Sequence, residues 1–258
     1  MTIARILVIA GSDSGGGAGI QADIKTITML GGHAMTAVTA ITAQNTLGVD
    51  SVMAVPAAMI LAQIDSVWND IGVDAVKIGM IGSPETARAI ADRLENCGLP
   101  LVFDPVMVAT SGAALADART IAAFDRLMRI ATLTTPNIPE LAALGGDDAL
   151  RAAGITFLAK GGDAEGETVI DRLVGPDGEI ARWESPRIDT RHTHGTGCTL
   201  ASAITVGLGD GLELVPAIER ARVFVRAALA AAPRLGKGHG PIGHALGVIP
   251  FDQLRSLD

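Results

Sequence analysis

The sequence predicts an α/β protein with a central, mostly parallel sheet, helices on both faces and one small antiparallel hairpin. Three observations predict it. Short apolar runs alternate with longer amphipathic segments, the pattern of repeated strand–helix units. Unusual glycine-rich or polar clusters sit where the runs end, and glycine reaches 31 of 258 residues. A single stretch, 168–187, breaks the alternation with two strand-like runs around Gly175-Pro176-Asp177-Gly178, which suits a hairpin. No linker, charge block or repeat divides the chain, so residues 1–258 are expected to form one domain.

The elements follow in order. Residues 6–10 read as a buried strand, followed by the loop 11–19 and a helix to about residue 30. Residues 37–43 are rich in β-branched side chains and read as a second strand. Residues 56–71 begin with Pro and space their apolar residues as a helix does. A strand at 75–78 precedes a helix at 84–96, with Ser83 as its cap. The strand 101–103 ends at Asp104. A helix at 120–130, a strand at 132–134, a short helix at 139–144 and a strand at 155–159 complete the alternation. After the hairpin strands 168–173 and 180–184 come helices at 196–208 and 214–231. The first is apolar nearly all round, which predicts burial.

Composition excludes several functions. The net charge is −8, and aromatics make up 3% with no Tyr, so neither a basic face nor a stacking platform for nucleic acid is expected. The apolar run 6–10 is too short for a signal peptide or membrane span. Two cysteines, Cys97 and Cys198, do not make a disulfide framework, and the expected setting is reducing and cytoplasmic. Cys97 is expected to end a helix and pack as a small hydrophobe. His33, His192, His239 and His244 lack metal-ligand spacing and are expected at the surface.

In a parallel α/β sheet, ligands sit beyond the carboxyl ends of the strands. The clusters Gly11–Gly19, Gln44-Asn45, Gly79-Met80, Asp104-Pro105, Asn137 and Lys160-Gly161-Gly162 all fall there, which predicts a pocket. The most informative segment, Gly195-Thr196-Gly197-Cys198, opens the buried helix. Its first-turn amides have no intrahelical acceptors and suit a phosphoryl group. Cys198 lies in that turn, where a thiol's pKa can fall below its free value of about 8.5. A packing glycine pair with an inert cysteine is the alternative. The loop Gly11–Gly19 matches neither the dinucleotide pattern nor a Walker A loop, and could equally be a flexible turn. Asp104, Asn137 and Glu140 could face a hydrated Mg²⁺, but Asn137 and Glu140 also fit a helix capping box. Lys160 could neutralise nucleotide phosphates or simply be solvated.

Taken together, Ala10–Asp23, Thr42–Thr46, Lys77–Met80, Asp104–Met107, Thr135–Asn137 and Arg191–Cys198 resemble the hydroxymethylpyrimidine/phosphomethylpyrimidine kinases, in that family's order from about residue 5 to 245. The resemblance implies a ribokinase-like fold, ATP and Mg²⁺ as cofactors, and a homodimer. It implies two successive phosphorylations in thiamine biosynthesis, first of 4-amino-5-hydroxymethyl-2-methylpyrimidine and then of its monophosphate. Carried over, Cys198 becomes the general base, with Gly195, Thr196 and Gly197 forming an anion hole. Gln44 binds the aminopyrimidine, and Gly11, Ala18, Asp23, Met80 and Val106 shape its pocket. Asn137 and Lys160 fall in the nucleotide region, and Asp104 and Glu140 near the metal. The stretch 145–151 is brief for the family, which implies a different lid or nucleotide-edge loop. A pyridoxal kinase of the same fold and a non-catalytic pyrimidine-binding module are the rival readings.

Overall fold

The computed structural model describes residues 3–110 and 112–247. Nine strands form one sheet: β1 (Arg5–Asp13), β2 (His33–Gln44), β3 (Val49–Ala54), β4 (Ala75–Ile78), β5 (Leu101–Phe103), β6 (Leu133–Thr134), β7 (Phe157–Ala159), β8 (Thr168–Gly175) and β9 (Gly178–Pro186). Their order is β3-β2-β1-β4-β5-β6-β7-β8-β9. The six strands from β2 to β7 run parallel, while β3 and the β8–β9 pair are antiparallel additions at the two edges. The chain leaves β1 towards β2 on one side and resumes at β4 on the other. The crevice opened by that reversal is where such sheets hold ligands.

The helices are α1 (Gly19–Met29), α2 (Ala57–Asp70), α3 (Pro84–Leu94), α4 (Ala118–Ile130), α5 (Ile138–Ala143), α6 (Gly146–Ala152), α7 (Thr196–Gly209) and α8 (Leu214–Ala230). Side chains alternate across a strand, so β1 feeds both faces. Leu7 and Ile9 join Ile64, Ile90 and Phe124 beneath α2, α3 and α4. Ile6 and Val8 join Ile27 and Val206 beneath α1 and α7. Phe103 and Phe124 meet edge-on at 5.1 Å, one of few aromatic contacts in an aliphatic core. The predicted caps form: Ser83 accepts from the Thr86 amide at 3.1 Å, with Pro84 following in the first turn.

The sheet, the buried α7 and the hairpin agree with the sequence reading. Two elements are additional. β3 is an exposed edge strand with no buried alternate face to announce it. The stretch 145–151 is largely the short helix α6, which starts from Gly145 at φ +99° and draws on Asp147 and Asp148 in its first turn. Two histidines expected at the surface are buried: His192 and His244 are each only 6% exposed. His244 accepts or donates at 2.9 Å with Thr199 on α7, so its polar edge is satisfied inside. Cys97 lies just beyond α3 and packs on the core as expected.

Candidate active site

A cavity of about 740 Å³ opens over the carboxyl ends of β1, β4, β5 and β7. Every residue expected in the site lines it except Asp23. The start of α7 forms one wall. Gly195 caps the helix at φ +87°, a left-handed conformation that favours glycine. A Cβ there would fall 1.9 Å from the Gly17 carbonyl oxygen, so the glycine-rich loop and the helix start touch backbone to backbone. The Thr196 amide bonds the Thr193 carbonyl at 3.2 Å, while the next amides, of Gly197 and Cys198, belong to the first turn that has no acceptor within the helix.

Cys198 contradicts the expectation of an acidic thiol. Burial pushes it up to about 11, and the Asp23 and Asp104 carboxylates add to that. Lys77 and the Gly19 amide oppose the rise without overcoming it. Loss of water around the sulfur therefore outweighs the helix terminus.

On one side of the cavity, Gln44 ends β2 and lines it. Thr42 donates to its Oε1 at 3.1 Å, which fixes the amide. Gly11 leaves room for Met80, because a Cβ at Gly11 would come 2.9 Å from the Met80 sulfur. Ala18 and Val106 complete this side. Asp23 is a correction: it is wholly buried behind the wall, where it holds Lys77 at 2.9 and 3.0 Å instead of shaping the pocket.

On the opposite side, Lys160 lies 2.9 Å from Asp104 and 3.9 Å from Glu140. Lys160 and Thr135 both donate to Asp104, and the cation holds that buried carboxyl below its ordinary range against the cost of burial. Asn137 and Glu140 do form a capping box, each accepting from the other's backbone amide at 2.8 Å. Burial lifts the Glu140 carboxyl to about 7, and nearby Asp104 adds to it while Lys160 opposes. Among the described residues no three His, Cys, Asp or Glu side chains converge as a metal site.

Several lining groups escaped the sequence reading. Asp13 accepts from the amides of Gly15, Gly17 and Ala18 at 2.8–3.0 Å and lies 2.9 Å from His194 Nε2. His194 Nδ1 lies 3.2 Å from the Thr110 hydroxyl. Through its two ring nitrogens His194 joins the glycine-rich loop, the Thr110 segment and the approach to α7 around the cavity. A His directly before the Gly-Thr-Gly-Cys run was a usable signal. Nothing local marked Asp13 as its partner.

The family model for phosphomethylpyrimidine kinase matches residues 13–243. This chain belongs to the phosphomethylpyrimidine kinase family. It is 46% identical over 255 residues to a hydroxymethylpyrimidine/phosphomethylpyrimidine kinase of Rhizobium meliloti, covering 92% of this chain and 96% of that relative. Among solved structures, Bacillus subtilis pyridoxal kinase in complex with ADP superposes with a TM-score of 0.86 at 33% identity, covering 95% of this chain and 98% of that one. Phosphomethylpyrimidine kinase from Clostridium difficile does so with a TM-score of 0.73 at 38% identity, covering 87% and 99%. The family member described here is thus a phosphotransferase of thiamine biosynthesis, and kinases of this family use ATP. No described helix is long and apolar enough to cross a membrane.

Proposed function

We propose that the enzyme phosphorylates 4-amino-5-hydroxymethyl-2-methylpyrimidine and then its monophosphate, both at the start of α7. One observation carries the reading: Gln44, Cys198 and Lys160 face a single cavity, so a pyrimidine reader, a base and a phosphate-side cation share one space. Gln44 hydrogen-bonds the aminopyrimidine, with Gly11 and Met80 against its ring. The hydroxymethyl oxygen attacks the γ-phosphorus in line, the bond to the bridging oxygen of ADP breaks, and the proton passes to Cys198 sulfur. Gly195 and Thr196 form the turn, the Thr196 amide being held by the Thr193 carbonyl, and the Gly197 and Cys198 amides that follow face the equatorial oxygens. Lys160 and the Asn137 segment hold the nucleotide side.

Asp104 and Glu140 fit a hydrated Mg²⁺. The former is engaged by Lys160 and Thr135 and the latter by Asn137, so these two carboxyls would hold the hydrated ion by its water shell, as this cation favours. A bound Mg²⁺ would supply charge neutralisation for the nucleotide phosphates there. Two unpaired cysteines fit a cytoplasmic setting. Uninterrupted packing around one sheet fits a single domain.

A homodimer is supported by the β3 edge, where Ile41, Leu47, Val52, Met53 and Met59 are all exposed, between 47% and 65%. A pyridoxal kinase activity is the second reading, favoured by the TM-score of 0.86 to a pyridoxal kinase. Both are tested by incubating the protein with Mg·ATP and equimolar hydroxymethylpyrimidine and pyridoxal, and resolving products by mass spectrometry. Pyrimidine monophosphate followed by diphosphate is expected. Preferential pyridoxal phosphate would transfer the assignment to the second reading.

A further inference from the structure

Behind Cys198 lies a buried ion pair that the steps above leave unused. Lys77 stands on β4, in register with Val8 of β1 and Val102 of β5, at the centre of the sheet. Its side chain is 0% exposed to solvent, yet lines the wall of the cavity. The ammonium makes two hydrogen bonds, of 3.0 and 2.9 Å, both to Asp23 on α1. Ser202 on α7 donates to the same carboxylate at 2.7 Å. Gly79 makes the space, since a Cβ there would come 2.8 Å from Lys77 Nζ. Ser202 follows Cys198 by one helical turn, so both point from one face of α7 towards this pair.

Such a pair is a poor device for stability alone. Desolvating two charges often costs more than their attraction returns, and apolar residues of the same volume hold a fold as well. An ammonium also has three N–H donors, and Asp23 takes only two. We propose that Lys77 is a positioning residue of the phosphoryl-transfer site: Asp23 and Ser202 lock its ammonium behind Cys198, where it favours negative charge on the sulfur. This rests on the reading of Cys198 as proton acceptor and names the cation that opposes the effect of burial on its sulfur.

The charges around that sulfur are few. Those that act on it are Lys77 on β4, Asp23 on α1, Asp104 at the end of β5 and Lys160 just after β7. Glu140 on α5 acts on Lys160, and α1 also offers the Gly19 amide. Lys77 opposes the burial of the thiol more than any other neighbour, and Asp23 works against Lys77. Removing the Asp23 charge and removing Lys77 must therefore push sulfur reactivity in opposite directions. A pair that only ties β4 to α1 and α7 predicts no such opposition.

The test is alkylation of Cys198 by iodoacetamide in the full chain carrying Cys97→Ala, which leaves one cysteine. Asp23→Asn is expected to speed alkylation about tenfold at neutral pH, as a one-unit shift of a thiol titrating above the assay pH dictates. The double variant Lys77→Met/Asp23→Leu keeps the buried volume without charge and is expected to slow alkylation, by less than about tenfold because the opposing Asp23 charge is removed with Lys77. Circular dichroism melts establish folding, and the double variant decides the matter alone if Asp23→Asn does not fold. Folded variants that alkylate at the parent rate, or that shift in the same direction, would overturn the proposal. Kinase assays on Cys198→Ala run separately: unchanged turnover there removes the proton-acceptor reading, while alkylation rates still decide what Lys77 does to the sulfur.

Discussion

At the scale of single residues, the proposed mechanism makes the sulfur of Cys198 set the pH dependence. A base works only when unprotonated, and burial keeps this thiol protonated until about pH 11. Turnover should therefore rise with pH through neutrality, tenfold per unit, and a steady-state profile checks it. A plateau already reached by pH 7 would mean that sulfur is not the acceptor. Cys198→Ala should lower kcat by about 10²–10⁴-fold, the usual worth of a general base, with KM for the pyrimidine nearly unchanged. Gln44→Leu should do the reverse. It raises KM by 10- to 100-fold, about 1–3 kcal/mol for an unpaired buried polar group, with kcat little altered. His244 carries a stability prediction. Burial lowers it from 6.5 to about 4, so below pH 6.5 the unfolded chain takes up a proton that the folded chain refuses. Melting temperature should fall as pH drops from 6.5 towards 4, and His244→Asn should flatten that slope. Gln44 and Cys198 stand in short motifs at strand and helix ends, and that is why their place on the cavity wall could be read from sequence. The pairing of Asp13 and His194 could not, since 181 residues separate partners that only the fold brings to 2.9 Å. Asp23 was misplaced for a related reason: the spacing along α1 fixes its helix face, but its lock on Lys77 belongs to tertiary packing.

At the scale of elements, the start of α7 concentrates the requirements of the site. The helix is buried on every side along Thr199–Gly207, so it cannot shift to relieve strain at its first turn. Gly195→Ala would place a methyl in contact with Gly17 and force a left-handed φ on a residue that resists it. A loss of about 2–4 kcal/mol is expected in denaturant titration, beyond the left-handed penalty alone. Gly197→Ala is the contrast. Its Cβ would meet the Lys160 ammonium at 3.3 Å and Asp104 at 3.5 Å, a tight fit against a flexible side chain. It should fold well yet lose turnover through a displaced Lys160, so the pair separates folding from chemistry within one turn. The strands and helices with strong apolar periodicity were readable because each buries a face. β3 buries none of its five residues after Val49, and α6 spans only seven residues, so neither leaves a periodic trace.

At the scale of the whole molecule, the site and the exposed edge occupy the same side of the sheet. Gln44 terminates β2, and β3 pairs antiparallel with that strand, setting Met53 opposite Ile41 on one face. Met53 is 61% exposed and Leu47 65%, an apolar edge whose pairing with β2 is broken only by a register shift between Ala43 and Gln44. The neighbouring residues Ser51 and Asp50 supply little protection. Two copies joined here would cover the patch and brace the loop that carries Gln44. Sedimentation should show a dimer at about micromolar concentration, consistent with roughly 800 Å² buried per partner for a stable interface. Met53→Glu puts a charge in the middle of that contact and should give monomers. Because Met53 touches nothing in the cavity, the effect on catalysis then reports the bracing alone: KM for the pyrimidine rises while KM for ATP holds. A monomeric Met53→Glu protein with both constants unchanged would show that the edge serves assembly and leaves the Gln44 loop to hold itself.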